Sequence, residues 1–390
     1  MKSHRHAARL ITLVALSFVT VLALSTPGGA TIGNIAKSDL QGSWMIALRG
    51  NTGCGFVTMQ INVPLNSSAS GTGILTTHGQ CGNSTLSGQT FNVSSLAANG
   101  SGTAGLSCGV ACGWAFKIQV APDRSKFSLV DITDNGQFLE GTGVLTSPNG
   151  DISISDLTGG WQMTLYGITG CGNSSVLVSL ALPSSGTTAS ATESGSSSSC
   201  GTSTSTGNTF QIQSLNTNGS GTAFLSCGVG CGWNFDIQVS PDRSTFSLVD
   251  LTNGANFLAG VAINCTTAAN VSLTNLAGNW ELALDGFVFP ENGFGTASAW
   301  VTFGLNSAGK ATNASESLHT SLVGNSTLTG QTFTVLTLNA DGSGTASLTG
   351  CGEGSGTCVF AIQVSADRST FNLVDVADSS NLWVGTAMHR

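Results

Sequence analysis

The chain has 390 residues, of which 8% are charged and 52 are glycine, with a formal net charge of −8. No run of Lys or Arg occurs, so the electrostatic footprint of a nucleic-acid or anionic-lipid partner is missing. Abundant Gly, Ser, Thr and Asn alongside alternating Val, Ile, Leu and Phe indicate a turn-rich β-protein. The stretch Ser194–Thr206 lacks that alternation and is the one place where disorder is expected.

In chain order, Lys2, Arg5 and Arg9 precede an apolar run from Leu10 to Leu24 and the small-residue segment "STPGGA". This is the pattern of a secretory signal cut after Ala30, with a run too short to span a membrane. No Cys stands at the cleavage site, so no lipid anchor is expected there. Removing the signal leaves nine basic residues against 20 acidic ones, a net charge of about −11. The mature chain is expected to be exported and soluble, either extracellular or periplasmic.

Three related segments follow. "DLQGSW" (Asp39–Trp44), "DLTGGW" (Asp156–Trp161) and "NLAGNW" (Asn275–Trp280) open them, with the Trp residues 117 and 119 positions apart. From Phe116 and Phe235 onward, 14 of 18 positions are identical between the first two copies. A period of this length is too long for a solenoid turn and suits a domain with its own core. The expected domains are 38–146, 155–264 and 273–390.

Within a copy the hydrophobic period is two. Phe116, Ile118 and Val120 alternate with Lys117, Gln119 and Ala121, the pattern of a strand with one buried face. "APDRS" turns the chain, and Asn99–Gly100, Asn218–Gly219 and Asp341–Gly342 mark further hairpins. In the first copy, strands are expected near 43–49, 56–65, 71–77, 89–97, 102–107, 114–121, 126–132 and 137–145, and no segment has a helical period. Eight consecutive hairpin-linked strands predict an all-β fold of three tandem antiparallel up-and-down barrels, with a two-sheet sandwich as the alternative.

Gly42-Ser43-Trp44, Gly159-Gly160-Trp161 and Gly278-Asn279-Trp280 resemble the Gly-x-Trp signature of the first strand in the calycin superfamily, which includes lipocalins and avidins. The resemblance implies eight-stranded barrels and a small-molecule or glycan ligand. The second and third lipocalin motifs are absent. Arg124, Arg243 and Arg368 are the only recurring counterparts to the lipocalin Arg that packs on this Trp, and they fall in a predicted turn.

Eleven cysteines in an exported chain indicate disulfides. The third copy keeps the close pair, Cys351 and Cys358, but lacks both earlier positions together, which implies that those two bond to each other. The expected bridges are Cys54–Cys81, Cys108–Cys112, Cys171–Cys200, Cys227–Cys231 and Cys351–Cys358, leaving Cys265 over. Zinc is disfavoured, because each copy has one close pair and no nearby His.

No nucleophile–base constellation, HExxH or phosphate loop is present. His78, His319 and His389 have no counterparts in other copies and read as surface residues. Two carboxylate sets recur. Asp123, Asp242 and Asp367 read as turn residues with a local Asp–Arg contact. Asp131, Asp250 and Asp375 read as strand-end residues at the barrel rim, with calcium in the following loops as the functional alternative. Candidate ligand-binding aromatics are Trp44, Trp161, Trp280, Phe287, Phe289 and Trp300, the last three in a longer segment private to the third copy. The chain is therefore expected to be a non-enzymatic exported protein of three stapled barrels. No cofactor and no metal are expected. Its role would be structural or interactive, through self-association or otherwise. Binding of a small apolar or glycan ligand is the alternative.

Overall fold

The computed structural model describes residues 34–109, 113–132, 136–185, 187–228, 231–251, 256–265, 270–288, 295–321, 324–351, 356–376 and 381–390. The expected signal (1–30) lies outside them, as do Cys112, Phe289 and most of the loops named for calcium. Barrel 1 consists of β1 (Gly42–Thr52), β2 (Gly55–Leu65), β3 (Ser70–Gly79), β4 (Ser84–Leu96), β5 (Ser101–Ser107), β6 (Gly113–Val120), β7 (Lys126–Asp131) and β8 (Phe138–Leu145). Barrel 2 consists of β9 (Gly159–Thr169), β10 (Gly172–Leu182), β11 (Thr188–Ser197), β12 (Gly201–Leu215), β13 (Ser220–Ser226), β14 (Gly232–Val239), β15 (Thr245–Asp250) and β16 (Phe257–Asn264). Barrel 3 consists of β17 (Gly278–Val288), β18 (Gly295–Leu305), β19 (Lys310–Thr320), β20 (Gly324–Leu338), β21 (Ser343–Thr349), β22 (Thr357–Val364), β23 (Thr370–Asp375) and β24 (Asn381–His389). Each set runs in sequence order and closes on itself, the last strand pairing with the first, so the sandwich alternative is excluded. Closure leaves no edge strand open.

The interiors are filled by the alternation seen in the sequence. Phe116, Ile118 and Val120 are buried in the core of barrel 1, with Phe235, Ile237, Val239 and Phe360, Ile362, Val364 at the matching places. The expected hairpins form at Gly100, Gly219 and Gly342, whose φ values of 85–88° suit glycine. The structure adds one element that the period-two reading missed. A 3₁₀ turn precedes the first strand of each barrel, at Lys37–Leu40, Ile154–Leu157 and Leu273–Leu276. Its last carbonyl accepts the indole N–H of Trp44, Trp161 or Trp280 at 2.8–2.9 Å. The Gly-x-Trp indoles thus plug one end of each barrel, each packed on a core Phe at 4.7–4.8 Å.

Ser194–Thr206 is ordered, contrary to expectation. It lies across the β11–β12 hairpin, with Ser194 opposite Thr204 and Ser196 opposite Thr202. Backbone pairing needs no apolar side chains, and the Cys171–Cys200 bridge ties the hairpin to the β9–β10 turn.

The barrels join in a closed ring through faces that a lone barrel would expose. Thr58 of barrel 1 donates to the carbonyl of Asp250 in barrel 2 at 2.7 Å, and Ser175 of barrel 2 donates to the carbonyl of Asp375 in barrel 3 at 2.5 Å. Lys117 of barrel 1 donates to Ser317 of barrel 3 at 3.0 Å. Apolar side chains fill the seams: Met45 and Ala47 with Val249 and Ala259, and Val130 with Ala283 and Trp300. Every residue of β7, β15 and β23 is consequently buried on both faces.

Candidate functional site

The recurring Asp-Arg turns meet where the barrels converge. Carboxylate oxygens of Asp123, Asp242 and Asp367 lie within 4.8 Å of one another, a spacing that a metal ion could exploit. Lys126 occupies that position instead. Its ammonium, wholly buried, lies 3.2 Å from Asp123, 3.1 Å from Asp242 and 3.6 Å from Asp367, and donates to Ser244 at 3.0 Å. The equivalent positions in the other barrels are Thr245 and Thr370, so a single cation serves three carboxylates. Burial works against the Lys126 charge, but the carboxylates overcome it and raise its pKa. In return, Lys126 and the neighbouring serine hydroxyls lower Asp242 and Asp367 against the opposing effect of burial.

The local Asp–Arg contact is not made. Arg124, Arg243 and Arg368 take φ of 61–62°, the left-handed region of a tight turn. Arg124 instead pairs with Asp39 at 3.0 Å, and Arg243 pairs with Asp156 at 3.4 Å, in the 3₁₀ turns of their own barrels.

A second polar cluster lies inside the ring. Arg49 and Glu140 of barrel 1 pair at 2.7 Å, both buried, and the Arg49 guanidinium also donates to the Ala259 carbonyl of barrel 2. Tyr166 of barrel 2 and Asp285 of barrel 3, also buried, feel the same charges. Burial pushes Glu140 up to about 7 despite Arg49, and raises Asp285 for the same reason. Both carboxyls share the charge of one guanidinium, and their mutual repulsion adds to the rise of Asp285. These groups are closed off from solvent and bind the barrels together.

The mouth of barrel 1, at the end opposite Trp44, holds a cavity of about 550 Å³. Val57, Met59, Leu75, Leu86 and Trp114 line it, and at its rim the Trp114 indole donates to Gln137 at 2.6 Å. The Cys54–Cys81 bridge borders the opening. Strand register places Leu75 where barrel 2 has Glu193 and barrel 3 has Glu316. Glu193 is pushed up to about 7 by burial, with Asn208 beside it, and Glu316 accepts from Gln331 at 2.6 Å. Barrel 1 keeps the corresponding amide, Gln89, but has Leu75 at the position of the carboxyl group.

Of the candidate ligand-binding aromatics, Trp44, Trp161 and Trp280 are core plugs remote from that mouth. Phe287 is half-buried against an apolar cluster shared by the three barrels, and Trp300 sits outside barrel 3 at its seam with barrel 1. The bridges Cys54–Cys81, Cys171–Cys200, Cys227–Cys231 and Cys351–Cys358 are formed, and Cys265 is free and partly buried. Cys108 borders the barrel 1 mouth.

Two of the three histidines expected at the surface are buried, and His389 is half-buried. His78 and His319 are buried on outward-facing positions that become seam positions, His319 against Phe138 at 4.5 Å. His389 lies edge-on to Trp280 at 4.9 Å. Asp131, Asp250 and Asp375 end β7, β15 and β23 and are buried, each paired across the ladder with a core phenylalanine of its own barrel, Phe116, Phe235 or Phe360. The residues that line the barrel 1 mouth were passed over in the sequence, where Leu75 reads as one more inward apolar residue. The aligned Glu193 and Glu316 were the available signal.

No protein-family model matches the chain, and no curated protein matches it. Among solved structures, it is similar to transferrin binding protein B from Neisseria meningitidis, at 9% identity over 89% of this chain and 76% of that one, with a TM-score of 0.27. Transferrin binding protein B from Haemophilus parasuis matches at 10% identity over 90% and 76%, with a TM-score of 0.28. CghA matches at 7% identity over 89% and 87%, with a TM-score of 0.22. At these values the similarities carry no argument about function.

Proposed function

We propose that this is a non-enzymatic exported protein in which barrel 1 binds a small, mainly apolar molecule, while barrels 2 and 3 hold it in a rigid ring. The observation that carries this reading is the cavity in the mouth of barrel 1, whose size lies in the range of small-molecule pockets. Its walls are mainly alkyl and aromatic, with Thr77, Asn83, Ser84 and the Trp114–Gln137 pair as the polar groups. Such a site orients a ligand by one hydrogen bond and holds it by apolar burial. The expected export signal and the resemblance of the Gly-x-Trp strand to that of calycins are compatible with this reading. None of the described polar clusters combines a nucleophile, a base and an open cavity, so binding rather than catalysis is the preferred activity.

The test is titration with 1-aminoanthracene, a neutral fluorescent probe, alongside native mass spectrometry of protein taken from its own secretory route. Saturable binding of the probe, or a reproducible adduct of a few hundred daltons lost on denaturation, is expected. Leu75→Glu should lower probe affinity at least roughly tenfold, since it places an ionisable group in an apolar wall. That variant should fold, because Glu193 and Glu316 occupy the same place in the other barrels. Absence of both probe binding and adduct would leave the second reading, a rigid interaction module. The welded seams and buried axial charges favour that role.

A further inference from the structure

The ring repeats one contact at two of its three seams. At the first and second, a hydroxyl on the second strand of a barrel donates to the carbonyl of the recurring Asp in the next: Thr58 to Asp250 and Ser175 to Asp375. The register places Ser298 of barrel 3 at the third such position, facing Asp131 of barrel 1. Among the described residues no such hydrogen bond forms there. The Ser298 hydroxyl is buried, with the residue 1% exposed, and has no partner. In its place is a cavity of about 180 Å³ bounded by Ser298, Lys117, Val130, Ile132, Trp300 and Ser317. Asp131 and His319 also reach it and already have partners of their own.

Two groups on these walls seek a partner. Among the described residues the Ser298 hydroxyl has no partner, a costly arrangement for a buried donor. Among the described residues Lys117 donates to Ser317 alone, and burial lowers its pKa while Glu281 only partly offsets this. The Trp300 ring supplies an apolar wall beside them. A water occupies roughly 30 Å³ of liquid, so the cavity takes about six waters or one compact organic molecule, and nothing of drug size.

We infer that the seam between barrels 3 and 1 is a binding site for a small organic carboxylate, held by Lys117 and Ser298 against Trp300. The carboxylate accepts from the Lys117 ammonium and the Ser298 hydroxyl, and its apolar body lies on the indole. This site is separate from the barrel 1 mouth and does not depend on it.

Benzoate is the probe, with benzyl alcohol as its neutral analogue, measured by calorimetric titration on the full mature chain. Saturable benzoate binding is expected, with none for benzyl alcohol. Lys117→Met should weaken it roughly tenfold or more, and Ser298→Ala several-fold, in line with the loss of hydrogen bonds to a charged group. Ser298→Ala breaks no existing hydrogen bond, so it carries the test if Lys117→Met fails to fold. The site is ruled out if benzoate shows no saturable heat at tens of millimolar, or binds equally to wild type and both variants. Binding that survives both variants but disappears in Leu75→Glu would belong to the barrel 1 mouth and would also overturn the seam assignment.

Discussion

Lys126 shows how one side chain can break a threefold pattern and complete it. Three carboxylates from three equivalent turns converge, and without a cation their repulsion would drive the barrels apart. Lys126 supplies the charge from one copy alone, where the others have Thr245 and Thr370. Lys126→Thr should therefore cost about 3 kcal/mol, the lower end for removing one partner of a buried ion pair, because the carboxylates keep some contact with water. The variant should also regain part of its melting temperature on addition of calcium or magnesium, since the oxygens are spaced for a hard cation. The wild type should not respond. An unchanged melting temperature in the variant would mean that Lys126 contributes no net stability at the axis.

At the scale of the element, barrel closure and bridges divide the work. The β11–β12 hairpin is built largely of Ser, Thr and Gly, and its exposed face offers little apolar burial. Cys171–Cys200, spanning a sequence separation of 29, compensates by restricting the unfolded chain, an effect of roughly 3–4 kcal/mol on chain-entropy grounds. Replacing both cysteines with serine should lower the melting temperature and open residues near 194–206 to limited proteolysis while the other hairpins stay resistant. Uniform resistance would show that backbone pairing alone suffices there. The same scale decides the candidate site. Three barrels share strand order and register, yet a single inward position, Leu75 against Glu193 and Glu316, separates an apolar mouth from interiors bearing carboxyl–amide pairs.

At the scale of the whole molecule, the ring has a pH window. Glu140 sits at about 7, above its ordinary value of 4.5, and Asp285 is also raised. Raised carboxyls favour the folded ring when protonated: the contribution of Glu140 is complete below its ordinary value and is lost as pH rises through about 7, and that of Asp285 is lost in the same direction. Asp242 and Asp367 are lowered, so theirs is present above the ordinary carboxylate range and lost as pH falls below it. Thermal stability should therefore peak on the acidic side of neutrality and fall in both directions. Glu140→Gln should flatten the neutral-to-alkaline limb and leave the acid limb intact, as melting curves across pH would show. An alkaline limb unchanged in that variant would assign it to other groups.

The sequence by itself determined the period-two strands, the three copies, the turn glycines and the partners of most cysteines. These are local or self-similar features: alternation marks a pleated strand, Asn-Gly or Asp-Gly marks a tight hairpin, and the joint loss of two cysteines marks a pair. Only the tertiary structure decided what outward-facing residues do. His78 and His319 read as surface residues because period two assigns each strand one wet face, and here the next barrel covers that face, as it also covers Lys126 and Arg49. The meeting of Asp123, Asp242 and Asp367 was likewise hidden, since residues about 120 positions apart come together only through the ring. Alternation tells a strand which side is inside its own barrel, but it carries no information about a second surface buried by association.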